Sequence, residues 1–451
     1  MEAIMKKIIA LFLAVALCLG GCSMQKEKQG ESTVGKKGEV INLAKAIYPE
    51  EIRFPSEDQY TDYTKFHEDY RKWVDAQKEK RENADLSESM DAYYAQALKA
   101  FLLSGKKGEN IAVSPLNIYL ALSLLAESTN GETRAQILDV LGRKNIEDVR
   151  RQAKILWESN YHDDGSVTSI LANSVWLDEE FNAKKDWLDE LVKEYYASIF
   201  SGQAGSEEMD QALQAWLNEQ TGDRLKEAAE SVKLSPETVF ALVSTIYFKG
   251  RWDSEFNKNL TDDQFFHGTD GDVTVAMMHQ SITDSYYFGD KFSAVQKYMT
   301  NAGQMIFILP DEGVTSEELL MDEQALAYMI RGEAENKYLI VNLSVPKFDL
   351  TSNLMLNETL KELGITDVFG KGADFSPTSD DEVILDAVQH AARVTVDEEG
   401  VTAAAFTVML TCGAAMPPEE KVDFTLDRPF IFLLKSDDGQ ILFAGIVNQV
   451  R

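Results

Sequence analysis

The chain has 451 residues, with 75 Asp and Glu against 44 Lys and Arg, a formal net charge of −31, and only three cysteines. So acidic a chain lacks the clustered cations that phosphate binding needs, which excludes a nucleic-acid binder; its charge serves solubility and steering toward basic proteins. The chain is long for one domain, yet no internal repeat or Gly/Ser linker divides its C-terminal portion, so one large core is the simpler expectation.

At the N-terminus, Lys6-Lys7 precede an apolar run, Ile8 to Leu19, too short to span a bilayer and of signal-peptide size. It ends in Leu19-Gly20-Gly21-Cys22, which resembles the bacterial lipobox, in which the cysteine receives a diacylglyceryl group and becomes the mature N-terminus. On that reading residues 1–21 are a signal peptide and Cys22 is the lipid attachment site. The mature chain would then be held at the extracellular face of a bacterial membrane without spanning it. An ordinary secretory signal cleaved nearby is the alternative. Cys18 leaves with the signal, so Cys412 is the one free thiol and no intramolecular disulfide can form. Residues 22–40 are polar and charge-mixed, as a tether would be. Residues 41–85 carry Tyr48, Phe54, Tyr60, Tyr63, Phe66, Tyr70 and Trp73, and are expected to pack on the main domain, 86–451.

From Leu86 the apolar spacing of three and four through Met90, Tyr93, Tyr94, Ala97, Leu98, Phe101 and Leu102 predicts a helix. Ser114-Pro115 starts a second, with Leu116, Tyr119, Leu120, Leu122 and Leu125 inward. Strands are predicted over Ile170–Leu177, Val239–Phe248, Gln304–Leu309, Tyr338–Val345, Phe430–Leu434 and Ile441–Val447, with a hairpin turn across Lys435–Gln440. Helices mixed with mostly antiparallel strands predict an α+β domain.

Glu398 to Pro418 is the most informative segment. Two acids and a glycine open it, sixteen uncharged residues from Val401 to Met416 follow, and Pro417-Pro418 closes it. Extended at ~3.3 Å per residue, Glu398 to Ala414 would span on the order of 50 Å, the length of a large sheet. Alone, the run also fits a buried strand in a sheet covered on both faces.

No catalytic signature accompanies it: Gly-x-Ser-x-Gly, His-Glu-x-x-His, a dinucleotide fingerprint and a phosphate loop are all missing. Ser104-Gly-Lys-Lys107 fits a Ser-x-x-Lys pattern but has no Lys-Thr-Gly companion. His67, His162, His267, His279 and His390 lie too far apart in sequence for a recognisable metal set.

The C-terminal stretch Asp427-Arg428-Pro429-Phe430-Ile431-Phe432, followed by Gly439-Gln440-Ile441-Leu442-Phe443-Ala444-Gly445, resembles the signature of the serpins. Asn110 to Pro115, Tyr247 to Trp252, Val275 to Gln280, Val345 to Phe348 and Ala373 to Ser376 match the family in order. The resemblance implies three β-sheets, about nine helices and an exposed reactive-centre loop, 398–418. It implies a monomer that is no enzyme and needs no cofactor or metal. Its partner would be a serine endopeptidase, which cuts the loop, forms an acyl-enzyme and is trapped as the loop inserts into the main sheet. Glu398, Glu399, Gly400, Val401, Thr402, Ala403, Ala404 and Ala405 form the hinge. Val401 and Thr402 depart from the family's usual Thr or Ser and Glu, but introduce neither charge nor proline.

Counting from the hinge and back from Pro417-Pro418 places the reactive bond at Ala414–Ala415, which suits an elastase-like enzyme with a small primary pocket. Ser114, Asn117, Ser244 and His390 fall on the family's shutter, with an amide and a hydroxyl exchanged between Asn117 and Ser244, and Trp252 falls on the breach. A non-inhibitory serpin acting as a surface binding or structural protein is the other reading.

Overall fold

The computed structural model of the protein describes residues 39–222, 230, 232–381, 383, 385, 388–401 and 418–450. Cys22, Thr402, Ala403, Ala404, Ala405, Cys412, Ala414 and Ala415 lie outside these residues.

The strands form two hydrogen-bonded networks. In the first the order is Ile41–Ala44, Ala197–Gly202, Thr168–Asp178, Phe240–Arg251, Gly400–Val401, Gln389–Val396, Phe348–Met355, with His162–Asp163 beside Thr168–Asp178. The second runs Lys421–Thr425, Glu335–Pro346, Gly271–Phe288, Phe292–Met299, Gly303–Pro310, Phe430–Lys435, Ile441–Val447, Ile111–Val113. Asp262–Gly268 also pairs with Gly271–Phe288. That strand is 18 residues long and pairs with Glu335–Pro346 on one side and, near its end, with Phe292–Met299 on the other, so two of the three expected sheets are continuous through it.

Ten α-helices lie among the described residues. Helix Pro115–Ser128 is buried at every position but Ala121 and runs between the two networks, touching both Phe240–Arg251 and Ile441–Val447. A helix this apolar, its Glu127 answered by Arg150, sits in a core. Ser114 starts it, its hydroxyl accepting from the Asn117 N–H at 3.2 Å, with Pro115 in the first turn.

The predicted strands and the C-terminal hairpin are present with their ends moved by up to three residues. The helix read from Leu86 spans Asp91–Leu102. Leu86 and Ser87 instead donate to Asn83 and Ala84 carbonyls, closing the preceding helix, and Leu86 is exposed.

Ahead of that point, Ile41–Ala44 extends the edge of the main sheet, and a 22-residue helix, Tyr63–Ala84, lies against helix Ile146–Asn160. Trp73 is buried and donates from Nε1 to Asp164 Oδ2 at 2.8 Å, while Phe54 N–H donates to the Asp164 carbonyl. Tyr48 packs on Trp157 and Tyr161. A buried aromatic of this size contributes on the order of 2–3 kcal/mol, so these contacts hold the segment to the body.

Candidate functional site: the loop hinge and the gap beneath it

The site begins where strand Gln389–Val396 turns back. Asp397 Oδ1 accepts from the backbone of Glu399 at 2.9 Å and Gly400 at 3.1 Å, making a tight acid-capped turn. Gly400 and Val401 then pair with Arg251 and Gly250 on one side, and Val401 pairs with Val396 on the other. A Cβ on Gly400 would lie 2.3 Å from the Gly250 carbonyl oxygen, so only glycine fits this approach.

Several groups clamp the turn. Trp252 donates from Nε1 to the Asp397 carbonyl at 2.9 Å and from its backbone to the Glu399 carbonyl at 3.1 Å, and Phe256 N–H donates to the Glu398 carbonyl. The buried Glu398 carboxylate meets Lys347 Nζ at 2.7 Å and accepts from Thr261 Oγ1 at 3.0 Å. Desolvation pushes this carboxyl up, but Lys347 and Thr261 outweigh it and hold it below its ordinary value. Glu399 pairs with Lys258. Under the clamp, Lys297 is buried against the Trp252 and Phe256 rings and donates to the Ser254 carbonyl at 2.7 Å. Desolvation pushes its ammonium down to about 7.

Below Val401, no described strand joins Phe240–Arg251 to Gln389–Val396. A cavity of about 130 Å³ occupies that interval, lined in part by Leu242, Ser244, Gln389 and Ala391. Thr245 Oγ1, on the open strand, is buried without a hydrogen bond among the described residues.

Ser114, Asn117, Ser244 and His390 meet beneath the gap. Ser244 Oγ lies 2.6 Å from Asn117 Oδ1 and 2.8 Å from Asn173 Oδ1. One hydroxyl proton cannot serve two carbonyl oxygens. Asn173 is pinned because its Nδ2 donates to the Tyr195 carbonyl at 2.8 Å, so the proton belongs to Asn173 and Asn117 presents its NH₂ to Ser244. His390 stands across the gap. Its Nε2 accepts from Ser114 N–H at 3.0 Å, and burial pushes the ring down to about 4, so it is neutral with its proton on Nδ1. His390 therefore reaches Asn117 and Ser244 only through Ser114.

Asn173, Thr261 and Lys297 were not singled out in the sequence. No local spacing points to them, since Asn173 meets Tyr195, Lys297 meets Phe256 and Trp252, and Thr261 meets Glu398 across 22 or more residues. Lys347 was visible only as part of the Val345 to Phe348 motif.

The serpin profile, described as serine protease inhibitor, matches residues 88–450. The chain belongs to the serpin family, which that description makes one of protease inhibitors and not of enzymes. A leukocyte elastase inhibitor of Sus scrofa is 31% identical over 74% of this chain and 92% of its own. Alpha-1-antitrypsin of Meriones unguiculatus is 28% identical over 80% and 89%, and an uncharacterised serpin-like protein of Thermococcus kodakarensis 30% over 74% and 80%. Among solved structures, native tengpin, a thermophilic serpin, superposes with a TM-score of 0.72 at 25% identity over 91% of this chain and all of its own.

Proposed function

We propose that the protein is an irreversible, single-use inhibitor of elastase-like serine proteases, cut at Ala414–Ala415. The protease serine oxygen would attack the Ala414 carbonyl, the amine of Ala415 would leave, and the ester so formed would tether the enzyme to the loop. The freed loop would then enter the gap between Phe240–Arg251 and Gln389–Val396 and carry the enzyme with it.

The observation that carries this reading is the hinge. Gly400–Val401 already sits hydrogen-bonded between the two strands that insertion must separate, and among the described residues no strand continues below it between them. The native state would be kept by a barrier and not by depth. Similarity to the elastase inhibitor and antitrypsin supports the class of target, and Ala414 supports a small primary pocket.

Incubating the mature chain carrying Cys22→Ser with an elastase-type protease should give an adduct that survives boiling detergent and release a fragment beginning at Ala415. Cleavage without an adduct would instead support the non-inhibitory reading. The same proposal holds the native chain at the extracellular face of a bacterial membrane through lipid on Cys22. Partition into a detergent phase by the wild type and not by Cys22→Ser tests that part.

A further inference from the structure

Helix Tyr63–Ala84 precedes the part of the chain that the family profile matches, and it walls a cavity of about 240 Å³ against the body. Trp73 and Val74 from the helix face Phe248 and Leu442 from the body across it. The volume is ample beside the ~10–15 Å³ one water needs and sits near the small end of ligand pockets.

Four charged side chains line the cavity, and two of them are each held by two or more groups of the fold. Lys80 is taken by Glu51 and by the Tyr161 carbonyl at 2.5 Å, and Asp438 accepts from Ser159 and Asn160, each at 3.2 Å, and from Ser436. The other two, Arg81 and Asp437, are exposed and of opposite sign, and the Asp437 carboxyl already accepts from the Gly303 backbone N–H. They are near enough for the guanidinium to act on the Asp437 carboxyl, which desolvation otherwise pushes up, yet they form no ion pair among the described residues. His162, in the same wall, is pushed down to about 4, by burial first and then by Lys80, and is neutral. Asn160 Oδ1 and Ser169 Oγ, also in the wall, find no hydrogen-bond partner among the described residues. The wall thus holds polar capacity that the fold does not consume.

A chamber with an apolar side at Trp73, Val74, Phe248 and Leu442, and with a separated cation and anion in its lining, is complementary to a small zwitterion with an apolar body. A ligand of one charge would leave the other unanswered. We propose that the cavity binds a free α-amino acid with an apolar side chain, its carboxylate on Arg81, its ammonium on Asp437 and its side chain against Trp73, Phe248 and Leu442.

Calorimetric titration of the whole chain with L-phenylalanine and L-leucine tests this, with N-acetyl-L-phenylalanine and L-phenylalanine amide as forms blocked at one end. The free amino acids should bind at one site and each blocked form at least tenfold more weakly. Arg81→Gln should bring phenylalanine down to the level of its amide, and Asp437→Asn to that of the acetyl form, with thermal midpoints of the unliganded variants unchanged. Equal binding of phenylalanine and its amide would point to a peptide N-terminus and overturn the free amino acid. No binding at millimolar concentration, or binding that survives both substitutions, would overturn the site. Because the blocked ligands are tested on the wild type, the outcome does not depend on either variant folding.

Discussion

Acidification should weaken the native protein through His390. Its ring is buried and neutral, with a folded value of about 4 against about 6.5 in an unfolded chain, so between those values the unfolded state binds more protons than the folded one. Stability is therefore full above pH 6.5 and is lost as pH falls toward 4. For one such group, the ratio of unfolded to folded binding polynomials gives a loss of about 2 kcal/mol between pH 7 and pH 5. Carboxylates held below their ordinary values, such as Glu398 and Asp322, titrate beneath this window and contribute little to it. His162 is pushed down to about 4 as well and adds a second, separate loss at the joint with helix Tyr63–Ala84. Denaturant midpoints of the uncut protein at pH 7, 6 and 5 should fall steeply for the wild type. His390→Gln, which can still accept from Ser114 N–H, should remove about 2 kcal/mol of that fall, and His162→Gln a comparable share. If His390→Gln kept the wild-type slope while remaining folded, the neutral buried ring beneath the gap would be the wrong description.

Four further outcomes follow. Ala414→Arg should move inhibition from elastase-like to trypsin-like proteases, measured as second-order rate constants, because the residue offered to the primary pocket becomes a cation. Ala405→Arg should turn the protein into a substrate, raising the ratio of cleaved to trapped product in a gel assay. The pairing of Val401 with Gly250 and Val396, continued in register, brings residue 405 between Ile246 and Ala392, both buried, where an unpaired cation cannot go. Glu398→Gln removes the ion pair between the buried carboxylate and the half-exposed Lys347 ammonium, which water can still solvate. The uncut form should lose about 1 kcal/mol of stability and pass more readily to loop-inserted states on heating. Asn117→Ala and Ser244→Ala should be less than additive in a thermal double-mutant cycle, since one hydroxyl joins them.

The parts of the fold that were legible carry their chemistry in neighbouring residues. Phe430–Lys435 and Ile441–Val447 are continuous apolar runs split by Asp-Asp-Gly, and Ser114-Pro115 is a helix start in two residues. The strand Gly271–Phe288 is not legible in the sequence, because its partners on either side leave many of its polar residues half exposed and blur the alternation. Helix Tyr63–Ala84 shows in the sequence only as aromatic-bearing chain. It is polar nearly all round, with only Trp73 and Ala84 buried, and its place comes from tertiary contacts such as the Trp73 bond to Asp164. The hinge was legible in composition, but its clamp was not. That Glu398 would be buried against Lys347 and Thr261, and that Trp252 would hold the Asp397 carbonyl, depends on residues brought together over 51 to 145 positions.

The register at the hinge also assigns a partner to the polar groups beneath the gap. Val401 faces Gly250 and Val396 and is buried, so every second residue after it enters on the inward face. Carried forward in the same antiparallel pairing, residue 407 arrives level with Ser244 on one side and His390 on the other, and residue 411 with Phe240 at the strand's end. Residue 407 is a threonine. Ser244 gives its proton to Asn173 and keeps a lone pair, while His390 holds a proton on Nδ1 that has no hydrogen-bond acceptor among the described residues. A threonine hydroxyl placed between them can accept from Nδ1 and donate to Ser244 Oγ, joining the two sides of the gap once the loop is in. Thr407→Val keeps the shape and removes both bonds. The uncut variant should match the wild type in thermal midpoint, because on the proposed mechanism the loop meets these groups only after cleavage. The cleaved, inserted form should be about 1–3 kcal/mol less stable, with Thr407→Ser close to wild type. Cleaving each protein in the loop and comparing denaturant midpoints before and after decides the matter. A cleaved Thr407→Val form as stable as cleaved wild type would show that the inserted strand does not continue the register set by Gly400 and Val401.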